Sequence, residues 1–126
     1  MSLEIKYKIW LEANSRVVFG QGRRELLEAI DECRSLNAAA KKLNMSYRAA
    51  WGRLRASEER LGIKLVDHVA GEAMHLTREA RTLLAEFKEL EEHLKVMVLR
   101  TGAKLNSFDE DGPRPRPPAR DRSRAR

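Results

Sequence analysis

The spacing of apolar residues changes repeatedly along this chain, and each change predicts an element. Ile5, Tyr7, Ile9 and Leu11 alternate with Lys6, Lys8, Trp10 and Glu12, the period of two expected of a strand with one buried face. Asn14 and Ser15 offer a turn, and Val17, Val18 and Phe19 a short return strand, so residues 3–19 are expected to form a hairpin. Trp10 falls on its polar side, where it either covers an edge, meets a partner subunit or packs under a neighbouring helix. Gly20 and Gly22 bracket a break. Beyond it Leu26, Leu27, Ile30 and Cys33 share one face of a helix expected from about Arg23 to Cys33. Its acidic residues, Glu25, Glu28, Asp31 and Glu32, suit it poorly to contact with nucleic acid. Its expected role is to complete a three-helix core.

The stretch from Ser35 to Gly62 reads as two helices joined by a short turn. Ser35 can cap the first, which runs through Ala38, Ala39, Ala40 and Leu43. Asn44 tolerates the left-handed backbone of a helix end, Met45 plugs the turn and Ser46 can cap the second helix, which closes at Gly62. On that second helix Ala50, Leu54, Ser57 and Leu61 follow three- and four-residue steps and define a buried face. The opposite face carries Tyr47, Arg48, Trp51, Gly52 and Arg55. A helix lying on its own protein has little use for two aromatics and two guanidiniums on its outer side. One entering a DNA major groove needs long donors and apolar edges near its N-terminus. The competing reading folds Trp51 back into the core.

After Gly62 the period shortens again. Ile63, Leu65 and Val66 suggest one strand and Met74 and Leu76 another, with Ala70-Gly71-Glu72 as the turn. A hairpin at residues 63–76, directly after the second helix of the pair, is a wing. His68 and His75 either contact phosphate there, hold a metal across the hairpin or are ordinary surface residues. Thr77 then caps a long helix expected to end near Arg100, with Glu79 at its positive end. Leu83, Phe87, Leu90, Leu94 and Met97 step by four and three along it, the seam of a coiled coil. About 23 residues at 1.5 Å rise extend roughly 35 Å, farther than so small a domain covers by itself, so a second copy is expected on this seam. From Asp109 onward the chain is rich in Pro, Arg and Asp without apolar periodicity. Residues 101–126 are expected to be a disordered tail, whose arginines either add salt-sensitive affinity for nucleic acid or are merely solvated.

At 126 residues the chain supports one domain. The net charge of +6 matters for where it sits. Between Arg34 and Lys64 stand eight basic residues against Glu58 and Glu59, so positive charge gathers on the helix pair as a phosphate-binding footprint requires. A solvated basic face is the blander account. No apolar run approaches the roughly 20 residues of a membrane span, and the start lacks a signal peptide's apolar core, so a cytoplasmic protein is expected. Cys33 is the only cysteine, which excludes an intrachain disulfide and a multi-cysteine zinc site and suits a small core residue. There is no Ser/His/acid set, glycine-rich phosphate loop or metal-ligand cluster, so neither an enzyme nor a cofactor is expected.

At these residues the chain resembles the N-terminal DNA-binding domain of the ModE family of molybdate-responsive regulators, and more distantly the winged helix of LysR-type regulators. The resemblance covers about Ile5 to Leu99. Its most specific piece is Met45-Ser46-Tyr47-Arg48-Ala49-Ala50-Trp51, similar to the family's Ser-Tyr-Lys/Arg-x-Ala-Trp segment, supported by Gly22 with Glu25-Leu26-Leu27 and by Leu76-Thr77. The resemblance implies that Ser46, Tyr47, Arg48 and Trp51 read DNA, that the long helix dimerises, and that the function is linked to molybdate or metal homeostasis. The chain departs from the family in two ways. The wing tip, Val69-Ala70-Gly71-Glu72-Ala73-Met74, is short, and the oxyanion-binding β-barrel domains of full-length molybdate sensors are not seen in the sequence.

The expected fold is therefore mainly α with small β-hairpins: a winged helix-turn-helix over residues 1–100, with an N-terminal strand hairpin and a long dimerisation helix at 77–100. The expected function is sequence-specific binding of double-stranded DNA by a homodimeric transcriptional regulator. Arg48 and Arg55 would donate to guanine edges or phosphates, and Tyr47 and Trp51 would meet thymine methyls or sugars. Ser46 with its helix N-terminus would hold a phosphate, while Gly52, Asn37, Lys41 and His68 complete the candidate interface. The alternative is a protein interaction module that uses the long helix and binds DNA only non-specifically.

Overall fold

Ser35 and Ser46 each begin a helix by the same local bond. The computed structural model, which describes residues 2–68 and 73–111, shows the Ser35 hydroxyl oxygen accepting from the Ala38 amide at 3.1 Å and that of Ser46 from the Ala49 amide at 3.0 Å. Each cap satisfies an amide that the first helical turn would leave unpaired. The order of elements is β1 (Trp10–Ala13), β2 (Arg16–Gly20), α1 (Gln21–Cys33), α2 (Leu36–Lys42), α3 (Tyr47–Leu61), β3 (Val66–Asp67), β4 (His75–Leu76) and α4 (Arg78–Asp111). β1 pairs with β2 and β3 with β4, both antiparallel, in two separate two-stranded sheets.

The described residues divide into two compact units, residues 7–92 and residues 2–6 with 93–111. In the larger unit Leu26, Leu27, Ala29 and Ile30 of α1 meet Leu36, Ala39 and Ala40 of α2 and Ala50 and Leu54 of α3 in one core. The alanines of α2 let the helices approach closely. Ser57 is the buried polar member of α3, and its hydroxyl donates to the Val18 carbonyl at 2.9 Å, fastening the helix to β2. Leu65, Val66, Met74 and Leu76 of the wing, with Ala80 and Phe87 of α4, close the core. The Phe87 ring meets Phe19 edge to face, with centroids 5.1 Å apart. Cys33 is half-buried at the margin rather than in the core.

The first hairpin is shorter than the alternation of apolar residues predicts. β2 offers only five residues before the chain turns into α1 at Gly20, so residues 5–9 have no antiparallel partner and pairing starts at Trp10. Asn14 and Ser15 form the turn, both with positive φ. Leu11 faces Phe19 while Glu12 faces Val17, so Val18 is the extra residue of a bulge. The bulge explains how two consecutive residues, Val18 and Phe19, are both buried. Trp10 remains 48% exposed, and its indole N–H donates to Glu12 Oε2 at 2.8 Å. A Cβ at Gly20 would lie 3.2 Å from that of Trp10, so glycine suits this close crossing.

The long helix also differs from its sequence reading. It continues through Asp111, eleven residues beyond Arg100, so the first part of the expected tail is helical; the rest of the tail lies outside the described residues. Phe87 belongs to the core of its own chain, 3% exposed, and Leu83 packs against that core. Phe87 is therefore taken up by its own chain rather than by the seam assigned to it, because the first turns of α4 cover α1 and β2, whereas Leu83 is half-buried. Leu90 and Met97 are exposed, the latter at 60%, and Leu94 is half-buried. In the smaller unit Asn106 pairs with the main chain of Leu3, its Oδ1 accepting from the Leu3 amide at 2.8 Å and its Nδ2 donating to the Leu3 carbonyl at 3.0 Å.

Candidate nucleic-acid interface

The turn between α2 and α3 is fixed by its backbone. Asn44 is left-handed with φ 57, and the Met45 amide returns to the Ala40 carbonyl at 2.9 Å. Met45 packs half-buried against the core, so the turn is rigidly seated. Gly62 ends α3 with φ 73, and its amide donates to the Glu58 carbonyl at 2.8 Å. With both ends defined and Ala50, Leu54 and Ser57 buried, the opposite face of α3 is presented outward.

That outer face holds the residues singled out from the sequence. Tyr47 is 54% and Trp51 40% exposed, so Trp51 does not fold into the core. Arg48, Gly52 and Arg55 are exposed beside them. The Arg55 guanidinium lies over the Trp51 ring, 5.5 Å from its centroid, an arrangement that holds both side chains in one orientation. Asn37 and Lys41 are exposed on α2. No carboxylate pairs with Arg48, Arg55 or Lys41 among the described residues. Lys42, by contrast, is bound to Glu32, which raises its affinity for its proton. Ser46 is first of all a helix cap: its oxygen is engaged by Ala49, leaving its hydroxyl proton to donate.

The wing is anchored at its base. The Leu65 amide donates to Glu58 Oε2 at 2.8 Å, the Thr77 hydroxyl to the Lys64 carbonyl at 2.7 Å, and the Thr77 oxygen caps α4 by accepting from the Ala80 amide at 3.1 Å. His68 is exposed beyond β3. The register sets His75 opposite Asp67, so the two histidines do not face each other as metal ligands would. Among the described residues no group of three His, Cys, Asp or Glu side chains is placed to hold a metal. The wing tip at residues 69–72 lies outside the described residues.

The acidic character that the sequence suggests for α1 does not extend to its first turn. Glu28 is held by Lys88 and Arg24, at 2.7 and 2.8 Å, and the Lys88 hydrogen bond keeps its carboxyl below the usual glutamate range. The start of the helix is basic. Arg23 lies among the charges of Arg60 and Arg53, and burial above all, then those charges, weaken its hold on its proton. Arg53 and Arg60 are seven residues apart, about two helical turns, and that spacing is the signal in the sequence that sets them on one flank of α3.

Residues 23–81 match the family described as bacterial regulatory helix-turn-helix protein, lysR family. The fold resembles the CbnR DNA-binding domain in its DNA complex, with 23% identity, TM-score 0.55, and coverage of 68% of this chain and 98% of that one. It also resembles the BenM DNA-binding domain bound to benA site 1 DNA, with 23% identity, TM-score 0.55, and coverage of 67% and 93%. Oxidised OxyR of Corynebacterium glutamicum aligns at 22% identity and TM-score 0.50 over 64% of this chain, which spans only 26% of that protein. No curated protein sequence matches the chain. No described helix is long and apolar enough to cross a membrane. With its capped helix pair, its wing and its outward basic and aromatic face, the segment at residues 23–81 has the winged helix-turn-helix fold and is similar to the helix-turn-helix region of the lysR family.

Proposed function

We propose that this chain is a cytoplasmic, homodimeric transcriptional regulator that binds duplex DNA sequence-specifically, with α3 in the major groove and the β3–β4 hairpin as its wing. The carrying observation is the exposed set Tyr47, Arg48, Trp51 and Arg55 on the first turns of a helix capped at both ends. Arg48 and Arg55 reach base edges or phosphates, Tyr47 and Trp51 pack on thymine methyls or sugars, and Asn37, Lys41, Ser46 and His68 contact the backbone alongside. That CbnR and BenM domains of this fold were crystallised on DNA supports the reading. The Met45–Trp51 segment further supports a ModE-type operator and, through it, a role in molybdate or metal homeostasis. Dimerisation uses Leu90, Leu94 and Met97 of α4, with half-buried Leu83 at the start of the seam, and the exposure of Leu90 and Met97 supports it.

The same apolar side chains, together with exposed Val96 and Leu99, favour a second reading in which α4 docks another protein and DNA is bound only through charge. Selection of bound fragments from sheared genomic DNA, at low and near-physiological salt, separates the two. An inverted repeat that survives the higher salt establishes a sequence-specific dimer. Uniform recovery that vanishes with salt leaves only electrostatic binding and gives the lead to the interaction module.

A further inference from the structure

Arg23, Arg53 and Arg60 form a basic cluster that the groove-facing patch does not use. Arg53 and Arg60 are two turns apart on the flank of α3 nearest the first hairpin, and Arg23 stands in the first turn of α1. Arg60 is fastened there, its Nη1 donating to the Val17 carbonyl at 2.6 Å. Arg53 reaches across to α1, where its Nη1 comes 3.6 Å from the position a Cβ would take on Gly22. The Nε of Arg23 is buried and has no hydrogen-bond partner among the described residues. Among the described residues no carboxylate pairs with any of the three, while Glu28 and Glu32 of α1 are engaged by other cations.

Three gathered guanidiniums without an anion repel one another, and a buried donor left unpaired adds to the cost. One anion with several oxygens relieves both. Arg23 also lines an open cavity of about 500 Å³, together with Lys8, Trp10 and Gly22. The first amides of α1 follow Gly20, which supplies no side-chain cap. Arg53 directly follows Gly52 of the outward face, about 100° further round the helix, so it flanks the face that carries Tyr47, Arg48 and Trp51.

We propose that Arg23 and Arg53, with Lys8 at the rim, bind a phosphate of the DNA backbone beside the bases that α3 reads. The site rests on the duplex-binding reading above. It contributes affinity without sequence preference, and it fixes how far the helix is rotated in the groove.

The test compares Arg53→Gln, Arg23→Gln and the double variant with the unaltered protein, on the selected operator and on a random duplex. Each single change is expected to flatten the plot of log affinity against log salt by roughly 0.9, one phosphate contact, and to weaken both duplexes by the same factor. Without DNA, the melting temperature of Arg23→Gln is expected not to fall, since the crowding of like charge is relieved. A lower melting temperature with an unchanged salt slope makes Arg23 a structural residue and overturns the proposal. Arg53 is exposed, so its variant keeps the test open if Arg23→Gln does not fold. Melting in inorganic phosphate, against chloride at matched ionic strength, separates the two sources of the anion. A phosphate-dependent rise lost in the variants, with salt slopes unchanged, assigns the cluster to a free anion and overturns the assignment to DNA. If the unaltered protein binds no duplex, the regulator reading falls and this site with it. If it binds and the variant slopes are unchanged, only this site falls.

Discussion

Among the described residues no carboxylate pairs with Arg48, which stands one residue inside a helix whose start is fixed by Ser46. Its replacement by Ala should cost about 1–3 kcal/mol on the selected operator if it grips a base, and relax preference at that position, as fluorescence anisotropy on operator variants would read. Unchanged affinity on the best site removes Arg48 from the readout. Ser57 makes the contrasting case. Its hydroxyl is buried against the Val18 carbonyl, so Ser57→Ala leaves that oxygen without its partner and should lower unfolding stability by roughly 1–3 kcal/mol, with DNA affinity per folded molecule unchanged. Denaturant titration alongside binding separates these two kinds of loss.

At the scale of elements, much was legible because the chemistry is local. Ser35, Asn44, Ser46 and Gly62 mark helix ends by their own bonds or backbone angles, and both helices of the pair lie where those residues put them. The outward position of Trp51 and Tyr47 likewise follows from helical phase. What was not legible depended on partners distant in sequence. Residues 5–9 alternate as a strand would, yet a strand needs a neighbour, and β2 is too short to supply one. Phe87 fits a heptad as well as a core, and only the presence of Phe19 beneath it decides. Phe87→Ala should therefore destabilise the single chain by about 3–5 kcal/mol, whereas Met97→Glu should leave chain stability nearly unchanged and separate the proposed dimer. Sedimentation of the two variants tests this. If Met97→Glu sediments as the unaltered protein does, α4 does not dimerise through that side chain.

Acids on the later turns of α1 are matched by cations from other elements: Glu28 by Lys88, and Glu32 by Lys42. This pairing gives an acid limb to stability. Glu28 has its carboxyl pKa lowered, chiefly by the Lys88 hydrogen bond, so it binds a proton less readily folded than unfolded. Its contribution is present above the unfolded glutamate range and is lost as pH falls through the lower folded value. Lys88→Gln should narrow the stability gap between neutral and acid pH, and its unfolding curve should converge on that of the unaltered protein at low pH. Parallel curves for the two proteins across that range would show that the pair contributes nothing. The pair is largely solvent-exposed, so the effect is expected to be small.

Trp10 and Trp51 are the protein's two tryptophans. One lies on the hairpin at the cavity that Arg23 lines; the other lies on α3 under the Arg55 guanidinium. Each surface thus carries its own fluorophore. With Trp10→Phe, emission comes from the outward face of α3 alone, and with Trp51→Phe, from the flank beside α1 alone. Stopped-flow mixing with DNA would then time the arrival of bases and of backbone separately, and reveal whether the protein first settles on the phosphates and afterwards turns its helix into register.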